Sequence, residues 1–217
     1  MHKVFVSGGT GYIGSRLIPA LVRRGHSVRA LVRPGSEGKV AGGVEIVIGS
    51  PIDAPTFAPN IEPCDTFVHL VGVSHPSPSK AAEFRSIDLA SVKASVSASA
   101  QSGIRHFVYI SVAHPAPVMK EYIEVRKEGE SLIESSAISA TILRPWYVLG
   151  PGHRWAYSLI PLYWVCERIP ATRAGAKRLA LVTLPQLIAA LVHAVEHPPG
   201  GVRVIDALGI RSFPQMS

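Results

Sequence analysis

A chain of 217 residues that is 47% hydrophobic and only 17% charged has enough apolar material for one well-cored domain, which excludes a disordered chain and leaves little room for a second domain. Its formal charge of +7 is scattered over Arg23-Arg24, Arg29, Arg33, Arg105, Arg168 and Arg173 instead of forming a block, so nucleic acid is not the expected partner. Cys64 and Cys166 stand far apart and outside any metal-ligand spacing, which argues against a metal or redox centre and for free thiols.

Val4-Phe5-Val6 predicts a strand that runs directly into Ser7-Gly8-Gly9-Thr10-Gly11-Tyr12-Ile13-Gly14, followed by a helix-like Leu17-Ile18-Ala20-Leu21-Val22 that ends near Arg23-Arg24-Gly25. A second strand is expected over Ser27 to Val32, which completes a βαβ unit. Glycines at 8, 11 and 14 sit where a strand turns sharply into a helix, and their N–H groups can face an anion at the positive helix end. In that setting a dinucleotide is the expected guest.

Further strands are predicted over Val44 to Ile48 and Thr66 to Val71, a helix over Lys80 to Ser102, a strand over Arg105 to Ser111, a helix over Glu121 to Ser136 and a sixth strand at Thr141-Ile142-Leu143. Beyond residue 145 the alternation is less regular. Pro151, Pro161 and Pro170 punctuate an aromatic-rich segment, and order returns at Leu179 to Thr183, with a helix over Pro185 to Glu196 and a strand over Val202 to Ile205. The fold class expected is α/β, a doubly wound parallel sheet (Rossmann fold) in one domain over residues 1–217, with 146–217 as a substrate-side lobe or lid. The most apolar run, Trp155 to Cys166, carries Pro161 and falls short of the roughly 18 residues a membrane span requires. Met1-His2-Lys3 leads straight into the first strand without a leader, and the expected location is the cytoplasm.

Taken together, Gly8-Gly9-Thr10-Gly11-Tyr12-Ile13-Gly14, His69-Leu70-Val71-Gly72, Tyr109-Ile110-Ser111, Tyr122 with Glu130, and Leu143-Arg144-Pro145 resemble the short-chain dehydrogenase/reductase superfamily. Within it the likeness is to the atypical or extended NAD(P)H-binding branch, which includes NmrA-like regulators and isoflavone-reductase-like enzymes. The resemblance runs to about residue 150. It implies that Gly8, Thr10, Gly11, Tyr12, Ile13 and Gly14 hold the pyrophosphate, that Val71 and Gly72 line the adenosine side and that Pro145 lies beside the nicotinamide. It further implies that Ser50 stands where an adenine-contacting acid is common, with Asp53 nearby.

The end of the second strand reads Arg29-Ala30-Leu31-Val32-Arg33-Pro34, without the carboxylate that binds an NAD ribose. Arg33 can fork onto a 2′-phosphate, so NADP(H) is favoured over NAD(H). The resemblance also implies a catalytic trio of Ser111, Tyr122 and the residue four positions on. That residue is Arg126 where the superfamily has lysine, and Lys127 lies about 100° further round the helix. An arginine favours tyrosinate by its charge and can reach ribose hydroxyls, yet it cannot relay a proton. Asp88 stands where extended members carry an asparagine.

Trp146, Tyr147, His153 and Trp155 are the candidate substrate wall, continued by Tyr157, Leu159, Leu162, Tyr163 and Trp164; these aromatics suit an apolar or lipid-like substrate, a lid, or a dimer surface. The function expected is an NADP(H)-dependent oxidoreductase acting on a small apolar carbonyl or hydroxyl compound. A cofactor-sensing NmrA-like regulator, kept open by Arg126, is the alternative, and a sugar-nucleotide epimerase or dehydratase is disfavoured by the short region after residue 150. A homodimer through exposed helices suits the family.

Overall fold

The computed structural model describes residues 1–40, 42–152 and 154–214, with the backbone alone for 154–156. Short β-branched and aromatic runs form β1 (Lys3–Ser7), β2 (Ser27–Val32), β3 (Glu45–Ile48), β4 (Thr66–His69), β5 (His106–Ile110), β6 (Ser139–Arg144) and β9 (Val202–Asp206). All seven pair in parallel, in the order β3-β2-β1-β4-β5-β6-β9. Between them run α1 (Gly14–Arg23), α2 (Ala81–Glu83), α3 (Ala90–Gln101), α4 (Lys120–Glu134), α5 (Ile160–Cys166), α6 (Pro170–Arg178), α7 (Leu184–Glu196) and α8 (Ala207–Arg211). Val148–Leu149 (β7) and Val182–Thr183 (β8) form a separate two-stranded parallel sheet.

Alternation along β1 sorts the core into two layers, because successive side chains point to opposite faces. Val4 and Val6 pack with Leu17 and Leu21 of α1 and Leu187 and Leu191 of α7. Phe5 points the other way into an aromatic row with Phe67 and Phe107, at ring separations of 5.1 and 5.2 Å, under Val92 of α3 and Ile133 of α4. Each such fully buried side chain contributes about 1.5–3 kcal/mol relative to exposure. The sheet grows outward in one direction through β2 and β3, then the chain returns to the far side of β1 to lay down β4. That reversal leaves a crevice past the carboxyl ends of β1 and β4, the place where a doubly wound sheet takes a ligand.

The predicted strands before residue 145 are all present, and the expected helix over 80–102 differs in its first half. Phe84–Leu89 is a π-helical stretch linking α2 to α3, and it carries Asp88 inward. The aromatic-rich segment differs more. Pro161 and Pro170 lie in the first turns of α5 and α6, where a missing N–H costs nothing, so these prolines start helices rather than interrupt the chain. Of the ordered stretch 179–183 only Val182–Thr183 pairs as a strand, β8, and Thr183 and Gln186 close a capping box that begins α7 there. β9 extends the main sheet as its seventh strand.

Candidate functional site

The glycine turn leaves β1 with Gly8 at φ +80°, a left-handed conformation that side chains resist. A Cβ on Gly8 would lie 2.8 Å from the Leu70 carbonyl carbon and 2.9 Å from the Val71 nitrogen, so the turn and the segment after β4 approach with no room between them. Gly11 donates to the Gly8 carbonyl at 3.1 Å, and a Cβ on Gly14 would strike that same carbonyl and the Gly9 backbone. No side chain caps the N-terminus of α1. The Ser15 N–H is taken by the Gly11 carbonyl and those of Arg16 and Leu17 by the Ile13 carbonyl, so what suits a dinucleotide pyrophosphate here is the glycine turn at the positive end of α1.

Beneath the turn lies a buried polar chain. The Ser7 hydroxyl is 3.0 Å from His69 Nδ1, which is also 3.0 Å from Ser95 Oγ, while Ser91 Oγ lies 3.4 Å from Nε2 and donates to the Asp88 carbonyl. Burial pushes His69 down to about 3, with Arg126 acting the same way, so this histidine is a neutral core residue. The Asp88 carboxylate then accepts from the Val73 N–H at 2.9 Å and from Arg126 Nη2 at 2.6 Å.

Arg126 is almost fully buried on α4, and its Nη1 donates to the Ile110 carbonyl at 3.0 Å and to the Tyr109 hydroxyl at 3.4 Å. Its guanidinium carbon stands 5.0 Å from the centre of the Tyr122 ring and 5.7 Å from that of Tyr109. Burial opposes this cation, yet Tyr122, Tyr109 and Asp88 together hold its pKa above the ordinary arginine value. Burial raises the Asp88 carboxyl against the pull of Arg126 and the Val73 N–H, and it pushes the Tyr109 phenol up to about 12. Gly129 leaves the space this phenol needs, since a Cβ there would sit 2.8 Å from the hydroxyl. Gly72 likewise passes directly over Arg126 Nη2, where a side chain would collide.

Above Arg126 a cavity of about 390 Å³ opens past the sheet, lined by Tyr12 and Ile13 from the glycine turn, Ser111, Tyr122, Pro145, Trp146 and Tyr147, among others. Backbone bonds from Ser111 N–H to the Leu143 carbonyl (2.8 Å) and from Ala113 N–H to the Pro145 carbonyl (2.9 Å) lay the segment after β5 alongside the end of β6. The Ser111 hydroxyl is buried with no hydrogen-bond partner among the described residues. Glu130 of α4 accepts two bonds from Arg144 at 2.9 and 2.5 Å, which fixes the helix carrying Tyr122 to the strand end before Pro145. Trp146 and Tyr147 meet edge to face, 5.5 Å between ring centres.

The glycine turn, Ser111, Tyr122, Pro145, Trp146 and Tyr147 are thus brought to one cavity wall or its rim. Val71 is half-buried beside Gly8, and Thr10 is half-buried in the turn. Arg33 is exposed at the end of β2, and Ser50 follows β3 with its N–H on Thr56 Oγ1 at 2.9 Å. His153 and the Trp155 side chain lie outside the described residues. Both Arg126 Nη groups meet protein acceptors, an engagement the spacing of Tyr122 and Arg126 alone did not reveal. Tyr109 and Met119 were not singled out for the site, whereas His75 is a possible site polar group from its place after the fourth strand; His75 and Met119 line the cavity from loops where each has positive φ. Among the described residues no cluster suits a metal and no helix is long and apolar enough to cross a membrane.

The family model for NAD(P)H-binding proteins matches residues 8–155. This chain belongs to the NAD(P)H-binding family. A curated relative of this family member, the ceramide reductase of Caulobacter vibrioides, is 24% identical over 92% of the chain, and the chain spans 62% of that relative's length. Among solved structures, the Bordetella bronchiseptica enzyme WbmH in complex with NAD+ superposes with a TM-score of 0.70 at 20% identity, covering 95% of this chain and 76% of that one. A short-chain dehydrogenase/reductase superfamily protein from Agrobacterium tumefaciens with bound NAD gives 0.69 at 19% identity, over 94% and 77%. The architecture is the Rossmann fold of these solved structures.

Proposed function

We propose that this NAD(P)H-binding protein is an NADP(H)-dependent oxidoreductase acting on a small apolar carbonyl or hydroxyl compound. The observation that carries the reading is the unpartnered Ser111 hydroxyl on the same cavity wall as Tyr122. A buried hydroxyl without a partner costs about 1–3 kcal/mol, and a substrate oxygen placed there would remove that cost. Tyr122 exchanges a proton with the same oxygen, and Arg126 sets a fixed positive charge beside the phenol. The bound nicotinamide supplies the hydride chemistry. Trp146 and Tyr147 exclude water and favour an apolar substrate body. Arg33, exposed and with no carboxylate beside it on β2, supports the choice of NADP(H).

The engagement of Arg126 by Asp88 and Ile110 keeps a second reading in play, a cofactor-sensing protein whose site binds the dinucleotide without turnover. One assay separates the two. Purified protein oxidises NADPH with apolar aldehydes, ketones or quinones, and Tyr122→Phe abolishes the turnover while NADPH still binds. Tight NADPH binding with no turnover across that panel would instead favour the sensor. Arg33→Ala is expected to weaken NADPH binding and spare NADH, and equal affinities in the native protein would remove the NADP(H) assignment.

A further inference from the structure

Outside the cofactor site, the most unusual surface is the segment from Tyr157 to Ile169. No side chain of α5 is buried, although the helix is almost entirely apolar (IPLYWVC). Leu162 is 57% and Trp164 58% exposed, and Tyr157, Ile160, Val165 and Ile169 are exposed with them. Isolated exposed apolar residues need no explanation, but six within thirteen positions form a patch that a water-facing helix does not carry without use.

The rim of this patch is basic. Arg168, Arg173, Lys177 and Arg178 follow within α5's exit and α6, against a single acid, Glu167, which is already paired with Arg211 at 2.7 Å. Arg168 lies 3.6 Å over the Trp164 ring and donates to the Trp164 carbonyl, holding a cation at the edge of an aromatic. Tryptophan and tyrosine with aliphatic neighbours, flanked by lysine and arginine, are what a bilayer interface accepts, the rings at headgroup depth and the cations on anionic phosphates.

We infer that α5 and its flanks are a docking face for an anionic lipid surface, on which the protein lies without spanning the bilayer. A second copy of this chain fits the face less well, because a two-fold contact centred on α5 would set four cations of one copy against four of the other. A nucleic acid would match the charge but not Ile160, Leu162, Val165 and Ile169, which offer bases no flat surface to stack on. The face is also joined to the cavity wall, because α5 packs on the 3-10 turn that contacts β7. The inference stands apart from the proposed reaction, since docking is read without substrate.

The test is sedimentation of the full chain with vesicles of equimolar phosphatidylglycerol and phosphatidylcholine, and with phosphatidylcholine alone. The protein is expected to partition onto the anionic vesicles about tenfold or more tightly than onto the neutral ones, and to be released by high salt. Leu162→Ser combined with Trp164→Ser, and separately Arg173→Glu with Lys177→Glu, should each lower the anionic partition by about tenfold or more while NADPH binding stays intact. Absence of partition onto either vesicle overturns the inference. So does equal partition onto both, or a two-copy mass in light scattering that Leu162→Ser with Trp164→Ser returns to one copy. Release of the native protein by salt keeps the test decisive should either double variant fail to fold.

Discussion

Asp88→Asn tests whether the charge pair under the cavity is a structural keystone. Asp88 and Arg126 are 1% and 6% exposed at their side chains and 2.6 Å apart, so each charge depends on the other in a nearly water-free setting. Asparagine presents one accepting oxygen where the carboxylate presents two, so either the Val73 N–H or Arg126 loses its acceptor, and the guanidinium loses its only close counter-charge among the described residues. Leaving one member of a buried pair uncompensated costs about 3–5 kcal/mol. For a domain of this size each kcal/mol lowers Tm by about 2–4 °C, so a drop of roughly 6–20 °C is expected in thermal unfolding followed by circular dichroism. Asp88→Leu combined with Arg126→Met removes both charges and should recover most of the loss, since replacing a whole buried pair by apolar groups is often neutral. A drop smaller than about 3 °C in the single variant, or a double variant no more stable than the single, would refute the assignment.

Two further outcomes follow from the same geometry. Gly14→Ala drives a Cβ into the Gly8 carbonyl and within 2.6 Å of the Gly9 Cα; overpacking of this kind costs about 1–3 kcal/mol, and the displaced turn should weaken NAD(P)H binding by about tenfold or more in a titration of nucleotide fluorescence. Unchanged affinity would mean that the turn does not hold the dinucleotide. Burial also holds His69 at about 3 and His106 at about 4, so the folded protein keeps both neutral while the unfolded chain protonates them as pH falls through about 6.5. Stability present above that pH is therefore lost below it, by about 2 kcal/mol for each of these two histidines at pH 5, and His106→Gln should remove its share, about 2 kcal/mol, of the loss between pH 7 and 5. A flat Tm over that interval contradicts the burial argument.

What the sequence disclosed and what it hid divide along physical lines. The glycine turn was legible because φ at Gly8 and the close passage at Gly14 can be met by no other residue, and the strands because buried parallel strands are short, β-branched and continuous. Asp88 was legible as a position but not as a partner. Its pairing with Arg126 spans 38 residues and depends on a π-helical turn in Phe84–Leu89 that composition does not announce. The prolines at 161 and 170 misled for a related reason, since proline reads as a breaker unless the start of the helix is known, and here it stands in the first turn. The same pairing bears on chemistry. A lysine at position 126 would be a mobile point charge, whereas Arg126 is a fork clamped by Asp88, Ile110 and Tyr109, so the cation beside Tyr122 is fixed before any ligand arrives. Under the proposed reaction, a cation preset in this way meets charge on a bound oxygen without reorganising, and it does so by position alone, because the arginine keeps its proton throughout.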